Sequence, residues 1–220
     1  MKMISHNIPF PYMSIDDFIP SSALVRAAAE SFDLVKEQDW VKYTSDKGQV
    51  QYCSKGRNFT PAPALAVMDY IATYFDPNMA FGDLAGNAFP DMSHYGGGMM
   101  LTPNSNNEGG YLGMHVDADV HAKNLNWKRQ YSAVLCVSEV YDSSFDLLIH
   151  DGKNNHGRIP YKFNRLNIFK CSDNSWHGLP KITQGMNRKA LGVMYWSIMN
   201  EEDKSVARVR AKFNYDLDFG

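Results

Sequence analysis

His115 and Asp117 stand two residues apart in Gly109-Gly110-Tyr111-Leu112-Gly113-Met114-His115-Val116-Asp117-Ala118-Asp119. Side chains of an extended segment alternate between its faces, so both groups point the same way. Far downstream lies Ser175-Trp176-His177-Gly178, and beyond it Arg188. Two imidazoles and one carboxylate can cover a single triangular face of an octahedral Fe(II) ion, leaving three positions open. Zinc accepts the same three groups, so the ligand types alone leave the metal undecided. Arg188 tips the balance towards iron, because a guanidinium can clamp the far carboxylate of 2-oxoglutarate bidentately. A metal-only hydrolase has no general need for such a cation.

The pair alone carries little weight. With 7 His and 18 Asp in 220 residues, about 0.6 His-x-Asp pairs arise by chance. Its weight comes from the Gly-rich approach, the β-like run behind it, and a second His followed by Arg. The bland alternative is a surface hairpin with solvated polar groups, and for Arg188 a surface arginine in Met186-Asn187-Arg188-Lys189.

Those residues need a scaffold that brings distant segments together, and 220 residues with 44% hydrophobic and 21% charged side chains suffice for one domain with a sizeable core. A net charge of −2 offers no cationic footprint for nucleic acid. No run of about 18 apolar residues predicts a membrane span, and Met1 to Pro11 lacks the apolar core of a signal peptide. Cys53, Cys136 and Cys171 are odd in number, which points to a reducing compartment. A cytoplasmic protein is expected.

Residues 1–90 read as mostly helical with some extended pieces. Ser21 or Ser22 is a plausible N-cap for a helix over 23–32, and apolar spacing predicts a second over 63–75 with Thr60 or Pro61 at its start. Between them, Trp40 to Cys53 predicts a hairpin turning at Asp46-Lys47-Gly48. Tyr95-Gly96-Gly97-Gly98 and the run from Pro103 to Gly110 read as loops. From Tyr111 onward come short β-like segments at 131–137, 145–149, 166–171 and 191–198. The expected fold is mostly β with supporting N-terminal helices, a sandwich or jelly-roll barrel. One domain spans 1–220, with helical support over about 1–90 and a β core over about 91–200. In such a barrel, early and late strands can aim ligands at one interior.

Residues from about 95 to 198 resemble the catalytic core of the iron(II)- and 2-oxoglutarate-dependent dioxygenases, in particular their prolyl-hydroxylase-like branch. The pieces are Gly110 to Asp117, Arg129 ahead of Tyr131 to Val137, Pro160-Tyr161-Lys162-Phe163-Asn164-Arg165-Leu166, Ser175-Trp176-His177-Gly178-Leu179-Pro180, and Arg188 leading into Leu191 to Ser197. Their joint order and spacing is far more specific than any one of them. The resemblance implies a cupin-like double-stranded β-helix, iron on His115, Asp117 and His177, and 2-oxoglutarate anchored by Arg188. Oxygen is then the second cosubstrate, with ascorbate as an optional reductant. Tyr131 is a candidate 2-oxoglutarate contact provided it points inward. The helix opening with Ile15-Asp16-Asp17-Phe18 resembles the family's N-terminal support helix. Ser143-Ser144-Phe145-Asp146-Leu147-Leu148 departs from the Gly-Gly-Glu-Leu-like segment common in this branch, which leaves substrate class open. Asp117 favours hydroxylation over halogenation, since halogenating relatives carry a small residue there.

The expected substrate is a peptidyl proline, a sugar or another small molecule; no nucleic acid or membrane partner is expected, and oligomeric state is not legible. A non-oxygenase cupin-like metalloprotein and a non-catalytic jelly-roll binding module are the alternatives. His94, His121, His150 and His156 read as surface histidines. Trp176 reads as a buried aromatic, and Asn164 and Arg165 as ordering a loop. The Gly- and Asn-rich stretch from Gly96 to Gly110 reads as a mobile lid over the site.

Overall fold

Short apolar and β-branched runs separated by polar turns dominate the chain from residue 97 onward, and they form strands covered largely on both faces. The computed structural model describes residues 2–44, 49–82, 87–91, 97–105, 108–214 and 216–217. In chain order the elements are β1 (Lys2–His6), β2 (Tyr12–Asp16), α1 (Ser22–Glu30), β3 (Trp40–Thr44), β4 (Val50–Ser54), α2 (Ala62–Tyr74) and α3 (Pro77–Phe81). There follow β5 (Phe89–Pro90), β6 (Gly97–Ser105), β7 (Glu108–Gly109), β8 (Leu112–Val116), β9 (Trp127–Cys136), β10 (Leu147–His150) and β11 (His156–Ile159). The chain closes with β12 (Leu166–Lys170), β13 (Trp176–Leu179), β14 (Asn187–Ile198), α4 (Glu201–Val206) and β15 (Lys212–Phe213).

Two antiparallel sheets result. The larger runs β1-β2-β12-β9-β14-β6-β4-β3, with β5 added to β14 and β7 to β6; the smaller runs β11-β10-β13-β8-β15. From β8 to β14 the chain passes back and forth between the sheets, with β10 and β11 a hairpin within the smaller one, giving a double-stranded β-helix with its interior between the two faces. The mostly β jelly roll expected from the sequence is what forms.

The larger sheet is buried on both faces. Towards the helices point Tyr131, Ala133 and Leu135 of β9 and Leu191, Val193 and Tyr195 of β14, packed on Val25 and Ala28 of α1 and Val67, Met68 and Ile71 of α2. Each such large apolar side chain contributes about 1.5–3 kcal/mol relative to exposure. Ser21 caps α1, accepting from the Leu24 amide at 3.2 Å. The Tyr195 hydroxyl lies 3.1 Å from the Ile71 carbonyl and 3.2 Å from that of Phe75, tying β14 to the end of α2.

Several expectations need correction. Residues 1–90 are not mostly helical, because β1 to β4 all lie there. These short strands are stabilised by pairing to the sheet, which outweighs weak local preference. Ile15-Asp16 ends β2 rather than opening a helix, and Asp17 turns the chain at a φ of 53°. The 40–53 hairpin forms as β3 and β4, its expected turn at Asp46 to Gly48 lying outside the described residues. Gly97, Gly98 and Pro103 belong to β6, paired to β14 on one side and β4 on the other, not to a loop or lid. Glycine serves close approach here: a Cβ on Gly97 would meet the Gly192 carbonyl oxygen at 2.0 Å. Asn104 and Gly109 pair across β6 and β7, while Tyr95, Gly96, Asn106 and Asn107 lie outside the described residues.

Asn164 and Arg165 do order their loop. Asn164 exchanges two side-chain hydrogen bonds with the Ile19 backbone. Asp16 accepts from Arg165 Nε at 2.6 Å and Lys162 Nζ at 3.0 Å. The Arg165 hydrogen bond, helped by Lys162, holds the Asp16 carboxyl below its ordinary value. A carboxyl lowered on folding adds stability above its unfolded value, near 4, and loses it as pH falls further. Asp16→Asn is expected to cost about 1 kcal/mol at pH 7 and to flatten the loss of stability below about pH 4. Urea unfolding of both proteins at pH 7 and pH 3 measures this; an equal gap at both pH values contradicts it.

Candidate active site

The strand register brings the predicted ligands together. β13 pairs with β8 so that His177 lies opposite His115, and Asp117 follows directly after β8. His115 Nε2 is 3.8 Å and His177 Nε2 is 4.0 Å from Asp117 Oδ1. One ligand atom from each residue falls within 4.8 Å of the others. Both histidines are buried, at 7% and 6% exposure.

The tautomers follow from the backbone. His115 Nδ1 lies 2.9 Å from the Gly113 carbonyl and His177 Nδ1 lies 3.0 Å from that of Ser175. A carbonyl only accepts, so each Nδ1 donates a proton and each Nε2 keeps its lone pair turned inward. Burial, reinforced by the neighbouring His177, lowers the His115 imidazole to about 4, so it is neutral at pH 7. Burial alone would raise the Asp117 carboxyl, but Arg129 and the two imidazoles outweigh it and hold it well below the carboxylate range. The neutral His115 and the ionised Asp117 therefore turn lone pairs towards the same point as His177 Nε2. Such a cluster is repulsive without a cation, and its nitrogen and oxygen donors suit Fe(II) or Zn(II).

Asp117 is held from behind. Its Oδ2 accepts from Ser132 Oγ at 2.9 Å and lies 3.1 Å from Arg129 Nη1, with Cys171 Sγ at 3.7 Å. That occupies one carboxylate oxygen and leaves Oδ1 facing the histidines, which orients the ligand. In the sequence Ser132 was not singled out, Cys171 stood out only as one of three unpaired cysteines, and Arg129 as the opening of a strand and an alternative cation for the cosubstrate carboxylate. The available signal was parity along β9: Ser132 and Val134 face the interior, while Tyr131, Ala133 and Leu135 face the helices.

That parity also removes Tyr131 from the site. Tyr131 is fully buried in the helix-side core, stacked on Phe81 with ring centroids 4.7 Å apart. Both faces of the sheet are apolar, so hydrophobicity alone did not show which way it points.

Arg188 does join the site. It is 4% exposed and lines the same cavity of about 850 Å³ as His115, Asp117 and His177. Its Nε donates to the Phe145 carbonyl at 3.0 Å, and its guanidinium lies 5.5 Å from the centre of the Tyr161 ring. The divergent segment around Phe145 therefore supports the arginine. Directly across the strand pair from Arg188 stands Thr102 on β6, fully buried, its hydroxyl without a hydrogen-bond partner. An orphaned hydroxyl costs about 1–3 kcal/mol, and its register position opposite Arg188 makes it a second donor for an anion that the guanidinium would bind. The cavity thus offers both a set of metal-binding side chains and a buried guanidinium for an anion.

The remaining histidines divide. His156 is exposed as expected, but His121 and His150 are buried, not surface residues. His121 Nε2 lies 2.9 Å from Asp91 Oδ2, and its Nδ1 accepts the Lys123 and Asn124 amides. His94 lies outside the described residues. Trp176 is buried as expected, the three cysteines are unpaired, and among the described residues no helix is long and apolar enough to cross a membrane.

No family model and no curated protein matches the sequence. Solved structures match the fold. A prolyl-4-hydroxylase from Pseudomonas putida superposes with a TM-score of 0.59 at 18% identity, over 86% of this chain and 93% of that one. A Trichoplax adhaerens prolyl hydroxylase, solved with a hypoxia inducible factor peptide fragment, gives 0.54 at 13% identity, over 88% and 86%. HygX from Streptomyces hygroscopicus, solved with nickel and 2-oxoglutarate bound, gives 0.57 at 7% identity, over 93% and 94%. The fold of this protein is that of the prolyl hydroxylases and other 2-oxoglutarate- and Fe(II)-dependent oxygenases.

Proposed function

We propose that this protein is an Fe(II)- and 2-oxoglutarate-dependent oxygenase that hydroxylates a C–H bond of an organic substrate, within one catalytic domain spanning 1–220. The observation that carries this reading is the convergence of His115 Nε2, His177 Nε2 and Asp117 Oδ1, with Arg188 in the same cavity. His115, Asp117 and His177 would hold the iron on one face. Arg188 and Thr102 would bind the far carboxylate of 2-oxoglutarate. When bound, iron with 2-oxoglutarate and O2 supplies the oxidising power, the cosubstrate leaving as succinate and CO2.

The chain's own part is placement. Arg129 and Ser132 occupy Oδ2 of Asp117, so that Oδ1 is the oxygen that would be offered to the metal. Val134, Leu147, Phe169 and Leu179 line the interior and exclude water from the reacting groups. The neutral His115 and ionised Asp117 are ready to bind metal at pH 7 without first losing a proton.

Anaerobic addition of Fe(II) and 2-oxoglutarate tests the reading. A visible metal-to-ligand charge-transfer band is expected only when both are present. A metal-binding protein that gives no such band and no succinate in air is instead the cupin-like metalloprotein. Failure to bind metal at all leaves a jelly-roll binding module.

A further inference from the structure

The strand that carries His115 does not end the smaller sheet. β15 adds to its outer edge, with Phe213 opposite His115 and Lys212 opposite Val116. The Phe213 ring lies 5.2 Å from the His115 imidazole at an interplanar angle of 24°. This is no loose tail. The Asn214 amide donates to the Met114 carbonyl at 2.9 Å, and Arg208 Nη2 bonds Asp119 Oδ1 at 2.8 Å and the Asp117 carbonyl at 3.2 Å. Phe213 nevertheless stays 38% exposed and lines the cavity. Tyr43 of β3 and Phe59, 50% and 43% exposed, line the same cavity. Three half-exposed aromatic side chains thus line one cavity, where apolar surface signals a binding partner.

Charge narrows the occupant. The charged groups lining the cavity, among the described residues, are Lys55, Asp117, Arg129 and Arg188, besides the two histidines. Asp117 and Arg129 pair with each other, and Arg188 is turned to the cosubstrate on the reading above. Lys55 alone is left for a substrate, so among the described residues the lining holds no free carboxylate to balance a substrate cation. A cavity of about 850 Å³ is within the range that holds small organic molecules. β15 also occupies the edge of β8, where an extended peptide would otherwise add as a strand.

We propose that Phe213, which lines the cavity together with Tyr43 and Phe59, is a specificity-determining residue that selects a small, ring-bearing substrate with a neutral or anionic substituent and rejects cationic counterparts. This rests on the oxygenase reading for the position of the reacting centre. The ring would lie against Phe213 by offset or edge contact, which aromatic pairs favour, beside the His115 end of the metal site.

The protein loaded with Ni(II) and 2-oxoglutarate, which cannot turn over, supplies the test. Benzyl alcohol, phenylacetate, phenethylamine and a proline-containing tetrapeptide serve as probes in saturation-transfer NMR titrations. The alcohol and the acid are expected to bind, with the amine at least tenfold weaker, on the order of one decade per 1.4 kcal/mol. Phe213→Ala should weaken the first two by about 3- to 10-fold, and Phe213→Leu, which keeps the apolar bulk, by less. Equal binding of the amine, tighter binding of the tetrapeptide, or unchanged binding in both variants overturns the proposal. Loss of Ni(II)-dependent 2-oxoglutarate binding in the unmodified protein overturns the oxygenase reading instead, so the two failures are distinguishable.

Discussion

Asp117→Ala is expected to abolish metal-dependent turnover and, separately, to destabilise the metal-free protein by about 3 kcal/mol. The first effect is loss of the only anionic ligand among His115, Asp117 and His177. The second comes from Arg129, which is left with its charge buried. Arg129 and Asp117 side chains are 19% and 16% exposed, their charged atoms 3.1 Å apart. Arg129 Nε already lacks a partner, and the guanidinium otherwise rests on the Trp196 ring at 5.2 Å. Removing one member of such a pair leaves a desolvated charge, which typically costs 3–5 kcal/mol. The partial exposure puts this case at the low end. His115→Ala and His177→Ala should lose turnover as fully, but they leave the Asp117–Arg129 pair intact and incur a cavity cost only. Asp117→Asn keeps an acceptor for Arg129 and should recover part of the stability without recovering activity. Asp117→Ala combined with Arg129→Met should recover more of it, again without activity. Urea unfolding of metal-free protein and calorimetric Co(II) titration measure the two effects. If Asp117→Ala unfolds at the wild-type urea midpoint, the buried pair has been misread.

How much of this was legible beforehand depends on which period carried the information. His115, Asp117 and His177 were readable because their order and spacing are local chemistry, and the register of β8 against β13 then placed them together. Arg188 was readable for the same reason. Tyr131 was not, because β9 is covered on both faces and its apolar run hides which residues point inward. Gly97 and Gly98 misled in a different way: glycine marks loops in sequence, yet here it admits a neighbouring strand. β1 and β2 gave no strong pattern of their own, since their stability comes from β12 and the rest of the sheet. Phe213 lies far from every motif, and only the pairing of β15 with β8 shows that it reaches the site. Thr102 carried no sequence signal at all; its importance is a missing hydrogen bond.

Arg188→Ala is expected to raise the half-saturating 2-oxoglutarate concentration roughly 10- to 150-fold, the equivalent of about 1.5–3 kcal/mol for a charge-assisted hydrogen bond. Metal affinity should change little, because Arg188 does not contact His115, Asp117 or His177. Arg188→Lys should recover little, since an ammonium lacks the planar fork that would let Nε donate to the Phe145 carbonyl while the remaining nitrogens bind the cosubstrate. Succinate release against 2-oxoglutarate concentration, with Fe(II) saturating, reports the effect. An unchanged half-saturation moves the anchor to another cation.

Thr102→Val gives the sharper result, because its two effects have opposite sign. In the free protein the Thr102 hydroxyl is buried without a partner, so replacing it by a methyl of the same shape relieves an unsatisfied polar group. Stability should stay level or rise by about 1 kcal/mol. With 2-oxoglutarate present, the same change removes a donor beside Arg188, which stands directly across the strand pair. Half-saturation should then rise roughly 5- to 10-fold, the equivalent of about 1–1.5 kcal/mol. A purely structural threonine would lose stability on substitution and leave cosubstrate affinity alone. Thermal unfolding without ligand, paired with 2-oxoglutarate titration of the Ni(II)-loaded protein, separates the two outcomes. Lower stability together with wild-type affinity would place the cosubstrate carboxylate away from Thr102.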